Sequence, residues 1–197
     1  MKKIIALVLA LTMMLGCCAA LAEETAKTDL GTVDMTGAFK LQCALPEGYE
    51  INIQQKDNEG LMASISSDVP GKPALLLIIE FDELYYDVKR MNEMTEEQLQ
   101  QIIDTFPEDD NLDVSYTETA HGTKLMIVKG SANPEDYAEY AEGDVAVNYV
   151  AFLSVYEGYM IEIDIMDDGS IEGGLSDELI KTCIDFMSDL DFIPENN

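Results

Sequence analysis

Apolar residues recur at every second position over most of this chain and at every third or fourth position in two short stretches. Phe39, Leu41, Cys43 and Leu45 alternate with Lys40, Gln42 and Ala44, the period of a strand with one buried face. Pro46-Glu47-Gly48 turns the chain, after which Tyr49, Ile51 and Ile53 alternate again. Asp57-Asn58-Glu59-Gly60 predicts a second turn, leading into a short strand over residues 61–67. Residues 74–79 are apolar without a break, which predicts a central strand covered on both faces. Residues 112–116 and 125–128 predict a hairpin joined near Ala120-His121-Gly122. The run from Val145 to Tyr156 is apolar on both faces. Glu157-Gly158 turns it into a strand on which Tyr159, Ile161, Ile163 and Ile165 oppose Met160, Glu162 and Asp164.

The helical stretches carry start signals. Thr95 and Gln98 have capping-box spacing, Met94 and Leu99 sit at the staple positions, and Leu99, Ile102, Ile103 and Phe106 form one stripe ended by Pro107. Asn133-Pro134-Glu135-Asp136 reads as a cap, a first-turn proline and an acidic first turn, predicting a short helix through Ala141. Ser176 caps a last helix whose stripe is Ile180, Cys183, Ile184 and Met187. Strands apolar on both faces need cover on both. The order of elements therefore predicts an α+β fold, an antiparallel sheet with helices on both faces, in preference to two packed sheets.

The N-terminus changes where this fold is expected to work. Lys2 and Lys3 precede an apolar run over residues 4–16, and Ala20-Leu21-Ala22 supplies a small-x-small cleavage pattern. Residues 1–22 read as a secretory signal peptide, with an apolar run too short for an ordinary bilayer span. Met14-Leu15-Gly16-Cys17 partly resembles a lipobox, so a lipid anchor at Cys17 is the alternative outcome of processing. Either way the chain is expected to be secreted or held in the cell envelope, with no transmembrane span after the leader. Residues 23–37 are polar and aperiodic and read as a flexible spacer. Residues 38–194 then form a single domain.

Composition narrows the partners. Without its leader the chain holds 9 Lys and Arg against 39 Asp and Glu, a net charge of −30. Such a chain repels phosphate backbones, which excludes nucleic acid as a ligand. It is compatible with a cationic protein partner, with weak extracellular Ca²⁺ binding, or simply with a well-solvated surface. Beyond the leader two cysteines remain, Cys43 and Cys183. Their periodicities point both sulfurs into one core. Export permits a disulfide between them, and the alternative is two buried free thiols.

Leu45-Pro46-Glu47-Gly48-Tyr49 resembles the turn that opens domains of the PsbP-like family. The long hairpin followed by a terminal helix, residues 149–193, is similar to that family as well. The resemblance covers about residues 38–193. It implies an α/β/α sandwich that binds partners and shares no catalytic centre, and it carries no functional residue across by motif.

Few residues offer chemistry. His121 is the only histidine, and its place beside Gly122 suits a turn. No G-x-S-x-G, H-E-x-x-H, P-loop or G-x-G-x-x-G is present. Asp164, Asp168, Gly169 and Ile171 match positions 1, 5, 6 and 8 of an EF-hand loop, but Met166 and Leu175 stand at positions 3 and 12, where further ligands belong. Asp109, Asp110 and Asp113 form a looser acidic group. No catalytic, cofactor or metal residue is therefore assigned, and no cofactor is implied. The candidate interaction surface is Tyr85, Tyr86, Tyr137 and Tyr140, because tyrosine joins an apolar ring to a polar tip. The resulting expectation is an exported, non-catalytic binding or assembly protein. A hydrolase with an unrecognised carboxylate pair and a weak Ca²⁺ binder are the alternatives.

Overall fold

A computed structural model describes residues 27–107, 111–120, 122–132, 147–167, 169, 171 and 174–195. The leader over residues 1–22 with Cys17, the helix expected after Asn133, Asp109, Asp110, His121, Tyr137 and Tyr140 lie outside the described residues.

Two antiparallel sheets organise the chain. The larger has seven strands. They are β3 (Glu50–Lys56), β4 (Gly60–Ser66), β5 (Leu75–Phe81), β6 (Asp113–Glu118), β7 (Lys124–Ala132), β8 (Val147–Tyr156) and β9 (Tyr159–Asp167). They lie in the order β3-β4-β5-β9-β8-β7-β6, so β9 is the middle strand. Three further strands, β1 (Thr28–Val33), β2 (Phe39–Cys43) and β10 (Asp191–Pro194), form a small sheet in the order β1-β2-β10. Two α-helices are described, α1 (Glu96–Ile103) and α2 (Asp177–Asp189).

Local chemistry explains most of these elements. The α1 N-terminus has the full capping box: Gln98 N donates to Thr95 Oγ1 and Thr95 N donates to Gln98 Oε1. A cap of this kind is worth about 1 kcal/mol. The β8–β9 hairpin closes on Glu157 and Gly158, with φ of 50° and 83°. Both residues are left-handed, as the twist of a two-residue hairpin requires. In the turn that carries the family resemblance, Tyr49 N donates to Pro46 O.

The main core lies on one face of the large sheet. Leu77, Ile79, Phe152, Ile161, Ile163 and Ile165 pack there against Leu30, Val33 and Leu41 of the small sheet and against Cys183 and Phe186 of α2. Each fully buried aliphatic or phenyl side chain contributes about 1.5–3 kcal/mol. A smaller core on the opposite face joins Val128, Leu153 and Val155 to Leu99 and Ile102 of α1 and to Tyr85, Val88 and Met91.

These findings correct the expected α+β sandwich. Strands dominate the described chain, and the main core is roofed by a second sheet together with α2, in place of a helical layer. The reason lies in the segment read as spacer. Residues 28–33 are a strand whose register shifts between Asp29 and Gly31, leaving Leu30 as the extra residue. The bulge brings Leu30 and Val33, three apart, to the same core. At the other end Phe192 pairs with Leu41 through β10. A second correction concerns β5, expected to be covered on both faces. Leu75, Leu77 and Ile79 are buried, but Leu76 and Ile78 are only half-buried, because α1 covers the β7–β8 end of that face.

Candidate carboxyl pair and acidic groove

The half-covered face of the large sheet holds the most distinctive chemistry in the molecule. Along β9, Glu162 and Asp164 point away from the main core, as their alternation with Ile161, Ile163 and Ile165 requires. Their neighbours across the ladder are apolar. Glu162 stands between Ile78 and Leu153, and Asp164 between Leu76 and Ala151. Both acids are half-buried in consequence.

The two carboxyls lie near enough on one face of β9 to shift each other's protonation. Burial pushes both above the ordinary carboxylate range. For Asp164 the nearby charge of Glu162 raises it further. For Glu162 the neighbouring Asp164 works the other way, and the charge of Glu80 on β5 adds to the rise. The pair therefore retains a proton well above the pH at which exposed carboxyls lose theirs. Lys72 lines the same groove as Asp164. Its ammonium donates to Glu47 O and sits 5.1 Å from the centre of the Tyr49 ring.

Glu162 also lines a groove of about 650 Å³ with Glu80, Asp82 and Glu83. The apolar part of its lining comes from Phe81, Leu84, Ile102, Leu153 and Met160. Leu84 is 64 % exposed. The turn that builds this wall is held by Asp82, whose Oδ1 accepts from Leu84 N. The groove thus combines carboxylates with apolar surface, and among the described residues no Arg or Lys lines it.

The candidate residues read from the sequence are distributed differently. Tyr85 does not belong to a surface: it is 3 % exposed and packs in the smaller core, which corrects its place among the interaction residues. Tyr86 is 59 % exposed, its ring edge-on to Phe81 at 6.3 Å. Tyr137 and Tyr140 lie outside the described residues. Cys43 and Cys183 are both fully buried in the main core and are free thiols. Burial pushes the Cys43 thiol up to about 11 and the Cys183 thiol up to about 12. Asp167 serves its own turn, with Oδ1 accepting from Gly169 N and Ile171 N. Among the described residues no group of three His, Cys, Asp or Glu is placed to hold a metal ion. None of the helices described is long and apolar enough to cross a membrane.

A pair on one strand face also has a defined chemical reach. Glycoside hydrolysis sets its two carboxyls about 5 Å or more apart so that sugar or water fits between them. Glu162 and Asp164 stand two apart on one face of a single strand, and the nearness of each raises or lowers the other's hold on its proton. Sequence reading missed this pair as a unit, although it placed both residues on the correct face of the strand. No model of a known protein family matches this chain, and no curated protein matches it.

Proposed function

We propose that this chain is an exported, non-catalytic binding protein of the cell envelope that docks a cationic, amphipathic segment of a partner protein. The observation that carries the reading is the groove lined by Glu80, Asp82, Glu83 and Glu162 over Phe81, Leu84 and Met160. Carboxylates beside apolar surface complement a segment that alternates Lys or Arg with aliphatic side chains. The leader pattern of residues 1–22 supports export.

The test is binding of a labelled Lys- and Leu-rich amphipathic peptide, followed by fluorescence anisotropy. Exposed Glu80 and Glu83 are replaced together by glutamine. Wild-type protein is expected to bind, more weakly as salt rises, and the double variant to lose about fivefold in affinity. Unchanged affinity in the double variant refutes the assignment of the groove. So does equal binding of a peptide in which glutamate replaces lysine.

A further inference from the structure

On the main-core face of the large sheet a second, smaller cavity of about 180 Å³ opens between the β8–β9 hairpin and the C-terminal end of α2. Its apolar lining comes from Ile161, Met187, Leu190 and Phe192. Its polar lining includes Thr119, Thr123, Tyr156 and Arg90. Arg90 is the only arginine in the chain. Its backbone bridges to Tyr156, and the residues before it are fastened to the hairpin turn. There Glu157 N donates to Lys89 O and Gly158 N donates to Val88 O, both at 2.9 Å. None of the ion pairs between described residues uses its guanidinium. The one carboxylate in the lining, Asp191, is engaged by Lys27 at 2.8 Å.

We propose that this cavity binds a small carboxylate carrying a short apolar tail. Three features select that chemistry. A guanidinium offers a planar fork that matches a carboxylate by two parallel hydrogen bonds, and Tyr156 stands in the same lining as Arg90. Among the described lining residues Arg90 is the one cation, and Asp191 stands in the same lining. A phosphate dianion would therefore be left undercompensated in a protein of net charge −28. The volume sets the tail. A cavity of about 150 Å³ accommodates benzene, so 180 Å³ suits about six carbons against the Met187 and Leu190 side chains. The site lies on the main-core face, opposite the acidic groove, and does not depend on what the groove binds.

Hexanoate and phenylacetate are the probes, titrated into the protein and followed by amide chemical shifts or calorimetry. Hexanamide, hexylamine and inorganic phosphate are the comparisons. Saturable binding of hexanoate is expected, with shifts centred on Arg90, Tyr156 and Leu190. Hexanamide is expected to bind at least about tenfold more weakly, the worth of a charge-assisted hydrogen bond. Arg90→Gln should lose the same factor, and Arg90→Lys, which keeps the charge without the fork, should fall between. Arg90 is exposed, so these variants leave the core intact. The proposal is overturned if hexanoate does not bind, if hexanamide or phosphate binds as well as hexanoate, or if Arg90→Gln retains wild-type affinity. The first two comparisons need no variant, so a folding defect cannot mask the answer.

Discussion

Replacing Asp164 by asparagine is expected to change how the stability of the fold depends on pH. In the unfolded chain this carboxyl titrates near 3.8; in the fold, burial and then Glu162 push it up to about 8. Between those values the folded state keeps a proton that the unfolded state has lost. The contribution is fully present below about pH 4 and declines as pH rises, until the folded carboxyl also ionises near pH 8. A gap of about four pH units at 1.36 kcal/mol each sets a ceiling of about 6 kcal/mol. Asp164 is only half-buried, and solvent screening reduces the effect to about 2 kcal/mol. Asparagine removes the ionisation, and its neutral amide beside Glu162 lets that carboxyl return toward the ordinary range. The assay is urea unfolding at pH 5, 7 and 9, with exposed Glu178→Gln on α2 as the control for loss of one negative charge. Asp164→Asn should gain about 2 kcal/mol on wild type between pH 5 and pH 9, and Glu178→Gln should track wild type. If Asp164→Asn and wild type lose stability in parallel across this range, Asp164 does not retain a proton in the fold.

Two further outcomes test the packing. Gly60 pairs with Glu80, and a Cβ there would lie 2.2 Å from the Ile79 carbonyl oxygen. Because the obstacle is backbone, Gly60→Ala should cost about 2 kcal/mol or more, seen as a lowered midpoint of thermal unfolding; an unchanged midpoint would show that β4 and β5 are not so closely apposed. In protein beginning at Glu23, Cys43 and Cys183 should resist a thiol reagent at pH 8 in the native state and react together on unfolding, with no need for reductant. Fast native labelling of either one would remove it from the core.

How much of the fold was legible depended on whether side-chain spacing survived in the folded strand. β2 and β9 kept strict alternation, and Phe39, Leu41 and Cys43 are buried as the pattern requires. Thr95, Ser176 and Glu157-Gly158 were readable because caps and tight turns are settled by a few adjacent residues. β1 was not readable. Its bulge places Leu30 and Val33 at a spacing that belongs to neither a regular strand nor a recognisable helix in so short a segment. β10 is four residues long and ends on a proline, so it too carries little period of its own. Together these two strands supply the sheet that replaces an expected helical layer. The stripe on α2 shifted for a related reason: Phe186 is buried and Ile180 and Ile184 only partly, because the helix packs beside the small sheet as well as on the large one.

The carboxyl pair shows a different limit. Glu162 and Asp164 looked like the solvent side of an amphipathic strand, and within β9 alone that description is correct. Their character comes from position in the sheet. At an edge, either acid would have one flank open to water and an ordinary titration. In the middle strand of seven, Ile78 and Leu153 flank one and Leu76 and Ala151 the other, so both lose water and one carboxyl keeps its proton for the other. The warning signal was present in the apolar runs of β5 and β8, each apolar on both faces. A strand with acids on one face becomes unusual only when two such strands are its neighbours. That adjacency is fixed by long-range pairing between β5 and β9, whose partners are 78 to 88 residues apart along the ladder, and by no spacing within either segment.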